Sequence, residues 1–210
     1  MMKGNNMRKS IYILILISFA STCFAGGVTD KVKSVIARKN AAAGSPQTET
    51  IYPTVDGGSY NTSVAQGGGD KYVEVDDAVG AADDDTTYIY RADAAFTQGF
   101  DTYPAITSSS ITNVIIYYRC KEIGGNAFAL AFLRVNGTKY VQAGQALTTS
   151  YGDFSYTWAT NPNTTVAWTE ADVKGTGAAP IQEWGIDSTG LDPGETVRCT
   201  QCYMVVNYVD

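Results

Sequence analysis

From Ile51 to the end of the chain, apolar and polar residues alternate with a period of two in one segment after another. Successive side chains of a β-strand point to opposite faces, so this alternation predicts strands with one buried face. The predicted strands are Lys71–Val75, Thr86–Tyr90, Thr112–Cys120, Ala127–Val135, Thr138–Val141, Phe154–Thr160, Ile181–Asp187 and Val197–Val209. Short strands at this spacing predict an all-β domain, either a two-sheet sandwich or a barrel.

Turn and helix signals are few and specific. Asn136-Gly137 lies between two predicted strands and is the strongest signal for a tight hairpin in the chain. One short helix is predicted at Glu170–Val173, because Thr169 can cap its first turn.

The composition excludes several functional classes. The chain has no histidine, which excludes the Ser-His-Asp triad, a histidine general base and any histidine-ligated zinc site. Its net charge is −6, so it repels nucleic acid and anionic membrane surfaces instead of binding them. We therefore expect no nucleic-acid partner, no cofactor and no enzymatic activity.

Residues 1–25 have the pattern of a secretory signal peptide. The positively charged residues that begin it are Lys3, Arg8 and Lys9. The apolar run Ile11–Ala20 follows and is shorter than the roughly 20 residues that span a bilayer, although a retained anchor stays an alternative. Small residues at Cys23 and Ala25 predict cleavage before Gly26. Removing three basic and no acidic residues changes the net charge from −6 to −9. We expect a protein that is secreted, periplasmic or at the cell surface.

Residues 26–50 differ from the rest of the chain and are predicted to form an arm or linker before a domain at 51–210. Their apolar residues recur at helical spacing, at Val28, Val32, Val35 and Ile36. Their basic residues are Lys31, Lys33, Arg38 and Lys39. Small residues from Ala41 to Ser45 suggest a hinge. The segment is either a flexible linker or an arm that docks on an acidic neighbouring subunit, and a chain starting near Thr50 is expected to fold without it.

Three cysteines remain after cleavage: Cys120, Cys199 and Cys202. Cys199 and Cys202 have CxxC spacing, but they belong to a predicted strand and not to the start of a helix, where redox pairs lie. Alternation places Cys120 and Cys202 on the apolar faces of their strands, which predicts a Cys120–Cys202 disulfide if the strands are neighbours. A Cys120–Cys199 bridge, three buried thiols, and a redox or metal role are the alternatives.

Acidic clusters and tryptophans supply the remaining candidate groups. The weak calcium candidates are Asp83, Asp84 and Asp85, although loop aspartates that form Asx turns before a strand are the commoner explanation of such a cluster. A glycosidase would need two facing carboxylates, drawn from Glu74, Asp153 and Glu183. A sugar-stacking platform would use Trp158, Trp168 and Trp184, of which two are expected in the core and Trp184 half at the surface.

Several segments together resemble a family of small jelly-roll-type sandwich proteins. The segments are Val75–Asp77, Asp83–Tyr90, Ile111–Arg119, Trp158–Pro162, Ala167–Val173 and Arg198–Tyr208. Members of this family occur among the uncharacterised products of phage structural gene clusters and of bacterial genomes. The resemblance covers about residues 55–210, and it implies an antiparallel jelly-roll-like sandwich that acts as a non-enzymatic surface or particle-associated module.

Two functional hypotheses follow. In the first, the protein is a secreted structural subunit that self-associates into a surface layer or filament. In the second, it is an extracellular module that binds a glycan or another surface polymer through aromatic side chains. The first is favoured, because unpaired strand edges and a detachable arm allow strand addition between subunits.

The signal-peptide hypothesis predicts the N-terminus of the exported protein. Mass spectrometry of exported material should show a chain that begins at Gly26 or within about two residues of it. An intact Met1, or a lipid on Cys23, would contradict cleavage at this site.

Overall fold

The computed structural model describes residues 44–107 and 110–210, which form two antiparallel β-sheets packed against each other. The predicted sandwich is therefore confirmed, and the barrel alternative is not. The predicted signal peptide, the helical pattern at 28–36 and most of the predicted hinge lie outside the described residues.

The described residues form twelve strands and one α-helix. The strands are β1 (Pro46–Ile51), β2 (Asp56–Asn61), β3 (Val64–Ala65), β4 (Ile89–Ala92), β5 (Thr97–Phe100), β6 (Ser110–Ile123), β7 (Phe128–Val135), β8 (Thr138–Val141), β9 (Gln145–Ala146), β10 (Gly152–Trp158), β11 (Ile181–Thr189) and β12 (Thr196–Val209). The helix α1 is Glu170–Val173, and a 3-10 turn spans Tyr72–Glu74.

The strands divide equally between the two sheets. Sheet A has the order β10-β6-β12-β4-β3, and β1 also pairs with β12. The long strand β12 has β6 on one side, while β4 and β1 share its other side, at Thr196–Cys199 and Met204–Val209 respectively. Sheet B has the order β2-β5-β11-β7-β8, and β9 also pairs with β7.

Eight of the strands pair in a nested order along the chain. In sheet A, β4 pairs with β12 and β6 with β10; in sheet B, β5 pairs with β11 and β7 with β8. The chain therefore folds like one long hairpin whose successive strand pairs alternate between the two sheets.

The core lies between the facing sides of the sheets. Every second residue of the central strands points inward, such as Val114, Ile116 and Tyr118 on β6, and Trp184 and Ile186 on β11. Burial of such apolar surface contributes about 25 cal/mol per Å² and is the main stabilising term of the sandwich. The alternation in the sequence is thus the pattern of inward and outward faces.

The local signals in the sequence are confirmed. Asn136 and Gly137, between β7 and β8, have φ angles of 48° and 81°, as a tight type I′ hairpin requires. The Thr169 side chain accepts a hydrogen bond from the backbone N–H of Asp172, and the Asp172 carboxylate accepts one from the backbone N–H of Thr169. This capping box starts α1 where it was predicted.

The predicted strand Lys71–Val75 is wrong, because side chains bind the backbone there. The Asp56 carboxylate accepts hydrogen bonds from the N–H groups of Lys71 and Tyr72, at 3.0 and 2.8 Å. These bonds favour the 3-10 turn at Tyr72–Glu74 over a ladder with a neighbouring strand. Alternation over five residues does not detect such side-chain capping.

The predicted boundary between arm and domain, at residue 50, is also wrong. Residues 46–51 form β1, which pairs in register with the end of β12, from Pro46 opposite Val209 to Ile51 opposite Met204. Ile51 is 5% exposed and contributes to the core. Ile51, the last residue of β1, is the only large apolar residue of this strand, so alternation does not predict it. β1 forms because β12 offers a free edge there.

This edge strand makes truncation a test of the fold. A chain that starts at Gly44 should unfold like the chain from Gly26, whereas a chain that starts at Pro53 should lose about 2–4 kcal/mol of unfolding free energy. The loss follows from the removal of buried Ile51 and of the ladder on β12. Chemical denaturation of the three chains measures it, and equal stability of all three would contradict the role of β1.

Candidate functional site

The structure joins Cys120 to Cys199, so the predicted Cys120–Cys202 bridge is wrong in its second partner. Cys120 and Cys199 lie opposite each other on β6 and β12, with their Cα atoms 4.2 Å apart. The ladder then skips Thr200, because the next pair toward the end of β12 contains Gln201. This β-bulge adds one residue to β12 and reverses its alternation. Cys199 and Cys202 therefore both lie in the core.

Cys202 is a free thiol in the described part of the chain and is fully buried. Burial raises the pKa of this thiol, so it stays protonated and unreactive in the folded protein. The CxxC spacing therefore has no redox function, because Cys199 is already bonded to a different strand.

The three tryptophans are core residues and cannot form a stacking platform. Trp168 donates its indole N–H to the carbonyl oxygen of Trp158 at 3.0 Å, and both side chains are buried. Trp184 was expected to be half exposed, but its exposure is 0%. Its ring packs against Phe100 at 5.3 Å between centroids, and its indole N–H reaches the carbonyl oxygen of Thr102.

Two of the calcium candidates form ion pairs with sheet A. Arg119 donates from Nε and Nη2 to the two carboxylate oxygens of Asp84, at 2.7 and 3.0 Å. Lys121 and Arg198 both donate to Asp85, at 2.7 and 2.9 Å. The hydrogen bond from Lys121, together with that from Arg198, lowers the pKa of Asp85 from its usual value.

The third candidate, Asp83, binds Thr87, four residues further along the chain. Its carboxylate accepts hydrogen bonds from the backbone N–H and the hydroxyl of Thr87, at 3.0 and 2.9 Å. Over residues 44–107 and 110–210, no three cysteine, aspartate or glutamate side chains converge as a metal would require. The candidate carboxylates have hydrogen-bond donors and cations as partners, so they offer calcium no ligand set.

The carboxylates considered for a hydrolase hold separate parts of the fold. Glu183 on sheet B accepts the backbone N–H groups of Ser59 and Tyr60, at 2.8 and 3.1 Å, and so anchors the bulge of β2. Glu74 accepts hydrogen bonds from the backbone N–H groups of Gly67 and Tyr88. Asp153 pairs with Arg119 on sheet A. Among the described residues, these three carboxylates hold different segments of the chain and share no hydrogen-bond partner.

A cavity of about 510 Å³ lies between the outer face of sheet A and residues 76–85, which we call the aspartate loop. Its lining includes Val79, Gly80, Ala82, Tyr117, Asp153, Phe154 and Tyr203. We call it the tyrosine cavity, because two tyrosines from neighbouring strands lie in its wall. Its volume and its mixture of apolar and polar lining residues are those of a small-molecule site.

The tyrosine pair is set by the β6–β12 register. Tyr117 and Tyr203 are direct cross-strand partners, and their rings stack with centroids 5.0 Å apart at an angle of 12°. Tyr52 packs against the other side of this pair, 6.0 Å from Tyr203. Partial burial, with the neighbouring tyrosines, raises the pKa of Tyr203, so its hydroxyl is protonated at neutral pH.

The aspartate loop is tied down on both sides of the cavity. Gln201 donates from Nε2 to the carbonyl oxygens of Asp77 and Ala78, at 2.9 and 2.7 Å. The Tyr52 hydroxyl accepts the backbone N–H of Val79 at 3.2 Å. Together with the ion pairs of Asp84 and Asp85, these bonds hold the loop in place above the tyrosines.

The sequence contained a partial signal for this site. Tyr117 and Tyr203 lie at outward positions of the two longest predicted strands, next to inward-facing Tyr118 and Cys202. If the strands are neighbours, both rings lie on one outer face. Neither the register that stacks the two rings nor the loop above them can be read from alternation.

Comparisons with known proteins add no relative. No protein-family model matches the chain, and no curated protein matches it in sequence. In the part of the chain that the structure describes, no helix is long and apolar enough to cross a membrane. The resemblance to jelly-roll proteins therefore stays a prediction.

The disulfide assignment predicts how the thiols behave. The exported protein should show no reactive thiol when folded, and one, at Cys202, in denaturant without reductant, because that thiol is fully buried. Replacing Cys120 and Cys199 by alanine should cost about 2–4 kcal/mol of stability, because the bridge closes a long loop.

Cys202→Ala is the matched control and should leave the bridge intact. Thiol titration measures the reactive thiols, peptide mapping without reduction identifies the bridge, and denaturation curves measure the stability cost. A mapped bridge from Cys202 to either other cysteine would contradict the assignment.

Proposed function

We propose that this chain is an exported, non-enzymatic structural protein that self-associates through a jelly-roll sandwich. The nested strand pairing supports the jelly roll, since this fold is one long hairpin wrapped into two Greek keys. A core disulfide is typical of oxidising compartments outside the cytosol and agrees with the signal-peptide pattern. In the phage and bacterial family that the sequence resembles, surface or particle-associated proteins would use the sandwich for the same structural purpose.

The open edge of sheet A is the observation that carries the proposal. β10 pairs with β6 on one side, and no strand in the described ranges pairs with its other side. The strand is seven residues long, contains a single charged residue, Asp153, and has neither lysine nor proline. Such an edge is a template for pairing with another chain.

The other strand edges are protected by comparison. β3, β8 and β9 have only two to four residues, and β1 begins with Pro46, which lacks an N–H group. β2 is interrupted, because the residues between Asp56 and Asn61 bulge out of its pairing with β5. β10 is therefore the edge best suited to strand addition.

The occupant of this edge is β10 of a second copy in antiparallel, two-fold pairing. A register centred on Ser155 places Asp153 opposite Thr157 of the partner subunit, so no like charges meet. The same register places Phe154 opposite the partner's Tyr156, and aromatic cross-strand pairs are stabilising. Tyr156 is 40% exposed in the single chain and would be covered. The basic residues of the predicted arm would add a second, salt-sensitive contact.

A charge at the centre of this register tests the proposal. Ser155→Lys should abolish association, because the two-fold axis brings the new lysines directly opposite each other. Mixing it with Ser155→Glu should restore a heterodimer. Sedimentation velocity measures the oligomer, and circular dichroism shows that each variant is folded.

Thr138→Lys, on the short edge strand β8, is the matched control and should associate as the unmodified protein does. A monomeric unmodified protein at high concentration would overturn self-association. An oligomer that survives Ser155→Lys would show that another surface mediates it.

A further inference from the structure

The tyrosine cavity combines apolar walls with the polar side chains of Asp153, Arg119 and Gln201. Its volume of about 510 Å³ lies within the roughly 300–1,000 Å³ of small-molecule sites. Val79 and the two tyrosines provide apolar surface, while Asp153 provides carboxylate oxygens at the rim. Val79 is 56% exposed, although it is apolar and close to aromatic rings. The cavity therefore has surface that a ligand can bury.

The charges around the cavity favour a neutral ligand. Arg119 is already engaged by Asp84 and Asp153, and Lys121 and Arg198 are both engaged by Asp85. An anionic ligand would thus meet no free cation and would lie near the aspartate loop. A cationic ligand gains little, because Arg119 already balances Asp153, 3.0 Å away.

The polar groups that remain suit hydroxyl groups. The side chain of Asp153 is 77% exposed, and a carboxylate has about four acceptor sites, of which Arg119 uses one. The Tyr203 hydroxyl is protonated and can both donate and accept. A sugar ring has apolar C–H bonds on one face and hydroxyl groups at its edge, so it fits aromatic rings beside a carboxylate.

The walls are preorganised, which reduces the entropy lost on binding. The rings are held by stacking across β6 and β12, and the loop is held by Gln201, Tyr52 and its ion pairs. Gly80 and Ala82 leave room between the loop and the sheet.

We propose that the tyrosine cavity binds a neutral carbohydrate, whose ring packs against Tyr117 and Tyr203 and whose hydroxyl groups donate to Asp153. This binding site goes beyond the structural function and does not depend on strand pairing at β10. It differs from the platform expected from the sequence, because all three tryptophans are buried.

Calorimetric titration of the chain from Gly26 with cellohexaose, chitohexaose and mannohexaose tests the proposal. At least one should bind saturably. Tyr203→Leu and Asp153→Asn should each weaken that binding by about tenfold or more, because they remove a ring and an acceptor. Asp153→Asn keeps the tyrosine stack, so it remains informative if Tyr203→Leu does not fold.

Tyr60→Leu, on the outer face of sheet B, is the matched control and should bind as the unmodified protein does. Absence of saturable binding to all three sugars would overturn the proposal. Binding that is indifferent to Tyr203→Leu and Asp153→Asn would overturn it as well. Choline and polygalacturonate serve as the cationic and anionic probes, and binding of these alone would also overturn it.

Discussion

The pairing of β6 with β12 is the contact on which the rest of the sandwich depends. These strands have fourteen residues each and pair from one end to the other, so they form the centre of sheet A. Bringing them together closes a long loop, which costs conformational entropy. Their inward residues fill the core, and the bond between Cys120 and Cys199 links them covalently where they are buried. The flanking strands β10, β4 and β1 attach only because this ladder exists.

The outer face of the same ladder carries the candidate site. Tyr117 and Tyr203 stack across it, and a row of cations beyond them, formed by Arg119, Lys121 and Arg198, holds the aspartate loop over the cavity. Sheet A thus has a covalent bond on its inner face and an ion-paired loop on its outer face. A ligand would use the outer face of sheet A and a second subunit the backbone edge of β10, so the two proposed interactions are adjacent at Asp153 but need different groups.

Predictions from the sequence succeeded where burial alone dictates the structure. β6 follows its alternation closely, and the Asn136-Gly137 hairpin and the Thr169 cap depend on neighbouring residues only. They failed where a distant group intervenes. The carboxylate of Asp56 caps the turn that replaces the predicted strand Lys71–Val75. β1 is a strand because it pairs with a free edge of β12. The cavity needs both the register of two strands and a loop from elsewhere, so only its tyrosines could have been suspected.

The sequence by itself determined the class of fold, the inward and outward faces of the long strands, and the exclusion of histidine chemistry. These properties depend on residue type and on a period of two, both of which are local. Only the tertiary structure decided which cysteine bonds to Cys120, because a single extra residue at Thr200 reverses the face of every residue before it on β12. It also decided that the aspartates bind arginine and lysine instead of a metal, since ion pairs form between segments that are distant in the chain and adjacent only after folding.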